Sequence, residues 1–281
     1  MKFGKYQGTG NDFVMIEDLD DRLDLSPATV RAICDRRFGV GADGVIRLAP
    51  GTEGGQFFMD HMNADGTTTE MCGNGIRCLA VFARDIGATI ETELKVLTRS
   101  GLKVVNVNAD ASVTVDMGAP IFDPPAIPVT ASGSDALDLR IEVAGESHTA
   151  ACLSMGNPHA VFFVDDPDAA PVTSLGPEIE THELFPNKTN VEFAAPRAPD
   201  RIDMRVWERG VGETMACGTG ACAVGVAARL LKDTEESVTV ALPGGDLRID
   251  WAGDLRTQAP VYMTGPAVKS FDGTLDDDLT A

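Results

Sequence analysis

Residues 70–85 read EMCGNGIRCLAVFARD, and residues 215–231 read MACGTGACAVGVAARLL. In each stretch a cysteine, Cys72 or Cys217, precedes a Gly-x-Gly turn and then a helical run that is apolar on almost every side. A helix that is hydrophobic all round is normally enclosed. The segments 76–83 and 221–231 therefore predict central helices, not surface ones. The two cysteines lie 145 residues apart in a chain of 281.

Other features align at this offset or one residue beyond it. Arg84 and Arg229 each fall twelve residues after their cysteine. Gly10-Asn11 matches Gly156-Asn157 at an offset of 146. Asn63 matches Glu208 at 145; each closes a strand-like alternation, QFFMDHMN and RIDMRVWE, before a glycine turn. A period this long is no solenoid unit and reads as a duplicated domain. Alternation predicts strands at 102–108, 112–117, 160–164, 201–207, 238–241 and 246–251, and helical spacing marks 26–36, 74–86 and 219–232. The stretch 118–135, with Pro120, Pro124, Pro125 and Pro128, reads as a linker.

The expected class is α+β, in preference to βαβ windings. Two pseudosymmetric domains are expected: 1–118, joined by 265–281, and 119–264. In each, a sheet is rolled into a barrel-like layer around a central helix. A pseudo-twofold would set the two helix starts face to face across one cleft.

Composition narrows the classes of function. A net charge of −20 argues against nucleic acid and anionic membranes as partners. The N-terminus lacks the apolar stretch of a signal peptide, and no run approaches the roughly 20 apolar residues of a membrane span. A cytoplasmic protein is expected, with its six cysteines reduced. The cysteines lack paired zinc-site spacing, and His61, His148, His159 and His182 show no ligand pattern, so no metal is expected.

A cysteine at a helix start has chemical use. The first N–H groups of a helix lack intrahelical partners and carry partial positive charge. They favour a thiolate over a thiol, whose ordinary pKa is about 8.5. The N–H groups of Gly73, Asn74, Gly218 and Thr219 then form a cradle for a carboxylate. Two thiols flanking one ligand suit inversion at a carbon that bears a proton. One removes the proton from one face and the other delivers a proton to the opposite face. Like-charge coupling keeps one as thiol while the other is thiolate. Cys34, Cys78, Cys152 and Cys222 read as core thiols.

The motifs GTGNDFVMIE (8–17), DRRFGVGADG (35–44), NADGTTTEMCGNGIRC (63–78), MGNPHAVFFVDD (155–166), NVEF (190–193), VWERGVGETMACGTGACA (206–223), LPGG (242–245) and YMTGPA (262–267) resemble those of the diaminopimelate epimerases. The resemblance implies a pyridoxal phosphate-independent isomerase with no cofactor. It would interconvert LL- and meso-2,6-diaminopimelate for lysine and peptidoglycan synthesis, and would form a homodimer. It implies Cys72 and Cys217 as the acid/base pair, with His159 and Glu208 tuning the thiols. It implies substrate contacts from Asn11, Asn63, Asn157, Asn190, Glu208 and Arg209, beside the cradle of Gly73, Asn74, Gly218 and Thr219. An amide offers donor and acceptor alike, which suits zwitterions, and Arg209 can fork onto a carboxylate.

The chain departs from the family at Gly44, where some members carry Gln, and near Phe271, where an aromatic contributes to dimers. The same chemistry on another amino acid is the first alternative. A dithiol redox or metal-binding protein is the second; an oxidised Cys72–Cys217 pair is expected to inactivate reversibly and not to be the function.

Overall fold

A computed structural model of the chain describes residues 1–257 and 259–276. Two compact units divide it: Met1–Val115 with the segment from Thr264 onward, and Asp116–Met263.

The first unit opens with β1 (Lys2–Gly8) and β2 (Asn11–Glu17), followed by α1 (Pro27–Cys34), β3 (Gly44–Pro50), β4 (Phe57–Asn63), α2 (Gly73–Asp85), β5 (Glu93–Thr98), β6 (Gly101–Val107) and β7 (Val113–Asp116). The second runs through β8 (Ala136–Val143), β9 (Glu146–Ser154), β10 (Pro158–Phe163), α3 (Val172–Glu180), β11 (Asn190–Ala198), β12 (Arg201–Glu208), β13 (Gly212–Thr214), α4 (Gly218–Leu231), β14 (Ser237–Leu242) and β15 (Gly245–Asp250). The chain ends its regular structure with β16 (Tyr262–Gly265) and β17 (Val268–Thr274).

In the first unit, β17-β1-β2-β3-β4-β5-β6-β7 form a continuous ribbon. The β2–β3 and β4–β5 pairs are parallel and the others antiparallel. The ribbon wraps α2, which packs on β1, β2, β3, β4, β6 and β17. The outer face of β2 and β3 (Val14, Ile16, Val45) buries Val30 and Ile33 of α1. Ser26 caps α1 by accepting from the Thr29 N–H at 3.1 Å, and Pro27 occupies the first turn, where a missing N–H costs nothing.

The second unit repeats this plan. Strands β8 to β12 with β14 and β15 surround α4, which packs on β9, β10, β11, β12, β14 and β15. Its outer helix is α3, whose Val172 and Ile179 join Val191 and Phe193 of β11 in a core cluster. Strand β11 is thus buried on both faces: Val191 and Phe193 look toward α3, while Asn190 and Glu192 take the alternate face.

The proline-rich stretch read as a linker is packed. Pro124–Ala126 form a 3₁₀ turn, and Ile127 and Val129 are buried in the core of the second unit. Helix α3 was not legible in the sequence, because Pro177 stands inside it and Pro171 precedes it. No helix among the described residues is long and apolar enough to cross a membrane.

Candidate active site

One repeated turn, between β1 and β2 in the first unit and between β9 and β10 in the second, reaches the start of each inner helix. Gly10 and Gly156 have φ of +83° and +97°, the left-handed region that L side chains rarely adopt. Each turn delivers an asparagine, Asn11 or Asn157, to the start of the inner helix of its own unit.

In the first unit, Cys72 is the N-cap of α2, and its Sγ accepts from the Gly75 N–H at 3.4 Å. Asn11 Oδ1 lies 3.8 Å from Cys72 Sγ and accepts from Asn74 Nδ2 at 3.3 Å. The amide orientations are fixed from both ends. Asp43 Oδ2, an acceptor only, takes a hydrogen bond from Asn11 Nδ2 at 2.8 Å and so turns Oδ1 toward the thiol. The fully buried Arg77 donates to Asn74 Oδ1 at 3.0 Å and to the Gly73 carbonyl at 3.2 Å, which turns Asn74 Nδ2 toward Asn11. Asn63 stays within its own loop: Nδ2 donates to Thr67 Oγ1 at 3.1 Å, and Oδ1 accepts from Thr69 Oγ1 at 2.8 Å.

In the second unit, Cys217 is the N-cap of α4 and is 5 % exposed. Its Sγ lies 3.5 Å from Thr219 Oγ1. Asn157 Nδ2 donates to that hydroxyl at 3.3 Å, and Asn157 Oδ1 lies 2.9 Å from His159 Nε2. Glu208 closes β12 and accepts from the Thr214 hydroxyl. Burial raises the Glu208 carboxyl, against the Thr214 and Cys217 hydrogen bonds that lower it. Burial also pushes the Cys217 thiol well above its ordinary value, with the charges of Glu208 and Glu192 acting in the same direction. The Thr219 hydroxyl and the Gly220 N–H oppose this.

Asn190 is 3 % exposed and spans two strands. Its Nδ2 donates to the Pro158 carbonyl at 2.8 Å, and its Oδ1 accepts from the Arg209 N–H at 2.9 Å. It therefore sets the turn that carries Arg209, whose guanidinium reaches the Asn187 carbonyl at 3.4 Å and is otherwise directed to solvent.

The family model for diaminopimelate epimerase matches residues 3–122 and 152–270. The chain belongs to the diaminopimelate epimerase family. A diaminopimelate epimerase of Moorella thermoacetica is 48 % identical over 97 % of this chain and 98 % of the relative. One of Thioalkalivibrio sulfidiphilus is 47 % identical over 98 % and 99 %. The fold is shared more widely. A probable proline racemase from Agrobacterium radiobacter superposes with a TM-score of 0.71 at 14 % identity, over 98 % of this chain and 92 % of that one. A Bacillus anthracis phenazine biosynthesis protein of the PhzF family gives 0.70 at 17 % identity, over 97 % and 98 %.

Four residues around these cysteines escaped the sequence reading: Asp43, Arg77, Thr214 and Glu192. Each had a signal. Arg77 is the one charge in the apolar run 76–83, and Glu192 the one charge in NVEFAA (190–195), a strand buried throughout. A lone charge in an enclosed segment needs partners: Arg77 finds them in Gly73 and Asn74 at the start of α2, and Glu192 in His159 of β10. Asp43 and Thr214 lie inside quoted family motifs, but only the folded chain reveals which amide or carboxylate they hold.

Proposed function

We infer that this protein is a cofactor-independent isomerase that interconverts LL- and meso-2,6-diaminopimelate. The observation that carries the reading is the doubled cysteine N-cap, once in each unit, in a chain nearly half identical to named epimerases along its whole length.

The chemistry follows from the residues. The thiolate of one cysteine takes the α-proton; the C–H electron pair stays on the α-carbon and is delocalised into the carboxylate. The thiol of the other cysteine gives its proton to the opposite face. The centre is inverted, and the two sulfurs have exchanged protonation states. The first N–H groups of α2 and α4 hold the carboxylate on which charge develops, where the helix dipoles favour it. Asn11 and Asn157 serve as substrate contacts. Glu208 pairs with an ammonium and Arg209 with a carboxylate, the two signs that a diaminopimelate carries at each end.

The test is isotope uptake. In D2O, LL-diaminopimelate should gain deuterium at the inverted α-carbon. Cys72→Ala and Cys217→Ala should each lose epimerisation by at least the roughly 10²–10⁴-fold that general acid–base catalysis contributes. Near wild-type turnover in either variant would overturn the two-base mechanism. A panel of other amino acids assayed for α-proton exchange separates this substrate from related ones.

A further inference from the structure

Glu192, the third residue of β11, is fully buried, and its carboxylate is used on one side only. Its Oε1 lies 2.7 Å from His159 Nδ1, while Oε2 is enclosed with no hydrogen-bond partner. Burying a carboxylate costs several kcal/mol unless it is paired and hydrogen-bonded. A chain selected for stability alone would fill this place with an apolar residue.

The carboxylate starts a continuous path. Nδ1 of His159 donates to Glu192 Oε1, since an ionised carboxylate only accepts. The other ring nitrogen, Nε2, donates to Asn157 Oδ1 at 2.9 Å, because Thr219 holds the Asn157 amide nitrogen and leaves the oxygen facing the ring. Asn157 donates to Thr219 Oγ1 at 3.3 Å, and that hydroxyl lies 3.5 Å from Cys217 Sγ. The path also returns through space. A Cβ at Gly220, three residues after the cysteine, would lie 2.8 Å from Glu192 Oε1 and 3.3 Å from the Cys217 Cβ. Glycine there lets the first turn of α4 rest directly on the carboxylate.

We infer that Glu192 is a positioning residue of the acid/base site: it fixes the His159 ring and, through Asn157 and Thr219, holds the Cys217 thiol at the start of α4. This rests on the isomerase reading above. Burial, then the charges of Glu208 and Glu192, also raise the Cys217 thiol. The charged groups that act on Cys217 from its own unit are Glu208 of β12 and Glu192 of β11, and His159 of β10 adjoins both carboxylates.

Glu192→Gln is the probe, because it keeps shape and acceptor but removes the charge. Iodoacetamide labelling of Cys217, read by peptide mapping across neutral and alkaline pH, should show its midpoint fall by about one pH unit. The kcat should fall on the order of tenfold or more, as for a carboxylate that orients a catalytic ring, with KM within about twofold of wild type. An unchanged labelling midpoint together with a kcat within about twofold overturns the inference. In unmodified protein, ¹⁵N NMR of the His159 ring should place a proton on Nδ1; a proton on Nε2 alone overturns the inference even if the variant does not fold. Neither the labelling nor the NMR uses substrate. A wild-type enzyme inactive on diaminopimelate that still shows both signatures would reject the substrate and leave the role of Glu192 standing.

Discussion

Asp43 Oδ2 accepts from Asn11 Nδ2 at 2.8 Å, and this one contact decides which end of the Asn11 amide faces Cys72. An aspartate cannot donate, so the amide nitrogen is held away from the sulfur and the oxygen toward it. Asp43→Ala frees the amide to rotate. We expect kcat/KM to fall about tenfold, near the net worth of a hydrogen bond to a charged group. Stability should change by less than about 1 kcal/mol, because the Arg36 partner of Asp43 is largely exposed. Unchanged kcat/KM would show that the orientation of Asn11 does not matter.

The two inner helices predict different tolerances at repeat-equivalent glycines. A Cβ at Gly75 would meet Ile46 Cδ1 at 2.7 Å, the flexible tip of a side chain. A Cβ at Gly220 would meet a buried carboxylate oxygen at 2.8 Å that His159 already holds. Ile46 can turn aside; Glu192 cannot without breaking its one hydrogen bond. Gly220→Ala should therefore cost about 1–3 kcal/mol, as overpacked sites do, and Gly75→Ala clearly less. Urea midpoints of the two variants decide this, and an equal or larger loss in Gly75→Ala contradicts it.

The cysteines should also differ in reactivity. Cys72 is partly exposed at a helix start, where its Sγ accepts the Gly75 N–H. Cys217 is nearly buried, with carboxylates raising its thiol. Burial also raises Cys34 to about 11 and Cys78 to about 12. Limited iodoacetamide at neutral pH should modify Cys72 first. Faster labelling of Cys217 in peptide maps would refute the assignment.

Much of this is readable in the sequence. The doubled cysteine-glycine turn predicted the two inner helices, because an all-apolar helix after a tight turn has few places to go. The outer helices were not equally visible: α1 shows its Ser26-Pro27 start, whereas α3 carries Pro177 within and reads as loop. The four asparagines differ in what they hold. Asn11 and Asn157 reach the cysteine caps, while Asn63 is spent on Thr67 and Thr69 and Asn190 on the Arg209 turn. Spacing gives a residue's strand and face; which neighbour satisfies its amide is fixed by tertiary contacts such as Asp43 and Arg77, distant in sequence or hidden in an apolar run.

His61 carries the last prediction. It lies inside β4, 3 % exposed, its ring edge-on to Phe13 at 5.4 Å, with neither ring nitrogen hydrogen-bonded. Gly44, a position where some members of the family carry Gln, makes room for it: a Cβ there would lie 2.7 Å from His61 Nε2. Burial, with help from Arg99, lowers the imidazole from 6.5 to about 4. A depressed folded-state value means that the folded chain declines a proton that the unfolded chain accepts. The contribution is present in full above pH 6.5 and is lost as pH falls toward about 4, a drop of about 3 kcal/mol across that window. His61→Leu removes the titrating group and two unsatisfied nitrogens, so it should unfold with a shallower acid dependence and be at least as stable at neutral pH. Urea denaturation of both proteins at neutral pH and again near the lower end of the window measures the difference. Parallel stability curves for the two would place the acid sensitivity elsewhere, in carboxylates such as Asp12, which Arg36 and Lys5 hold down near 2.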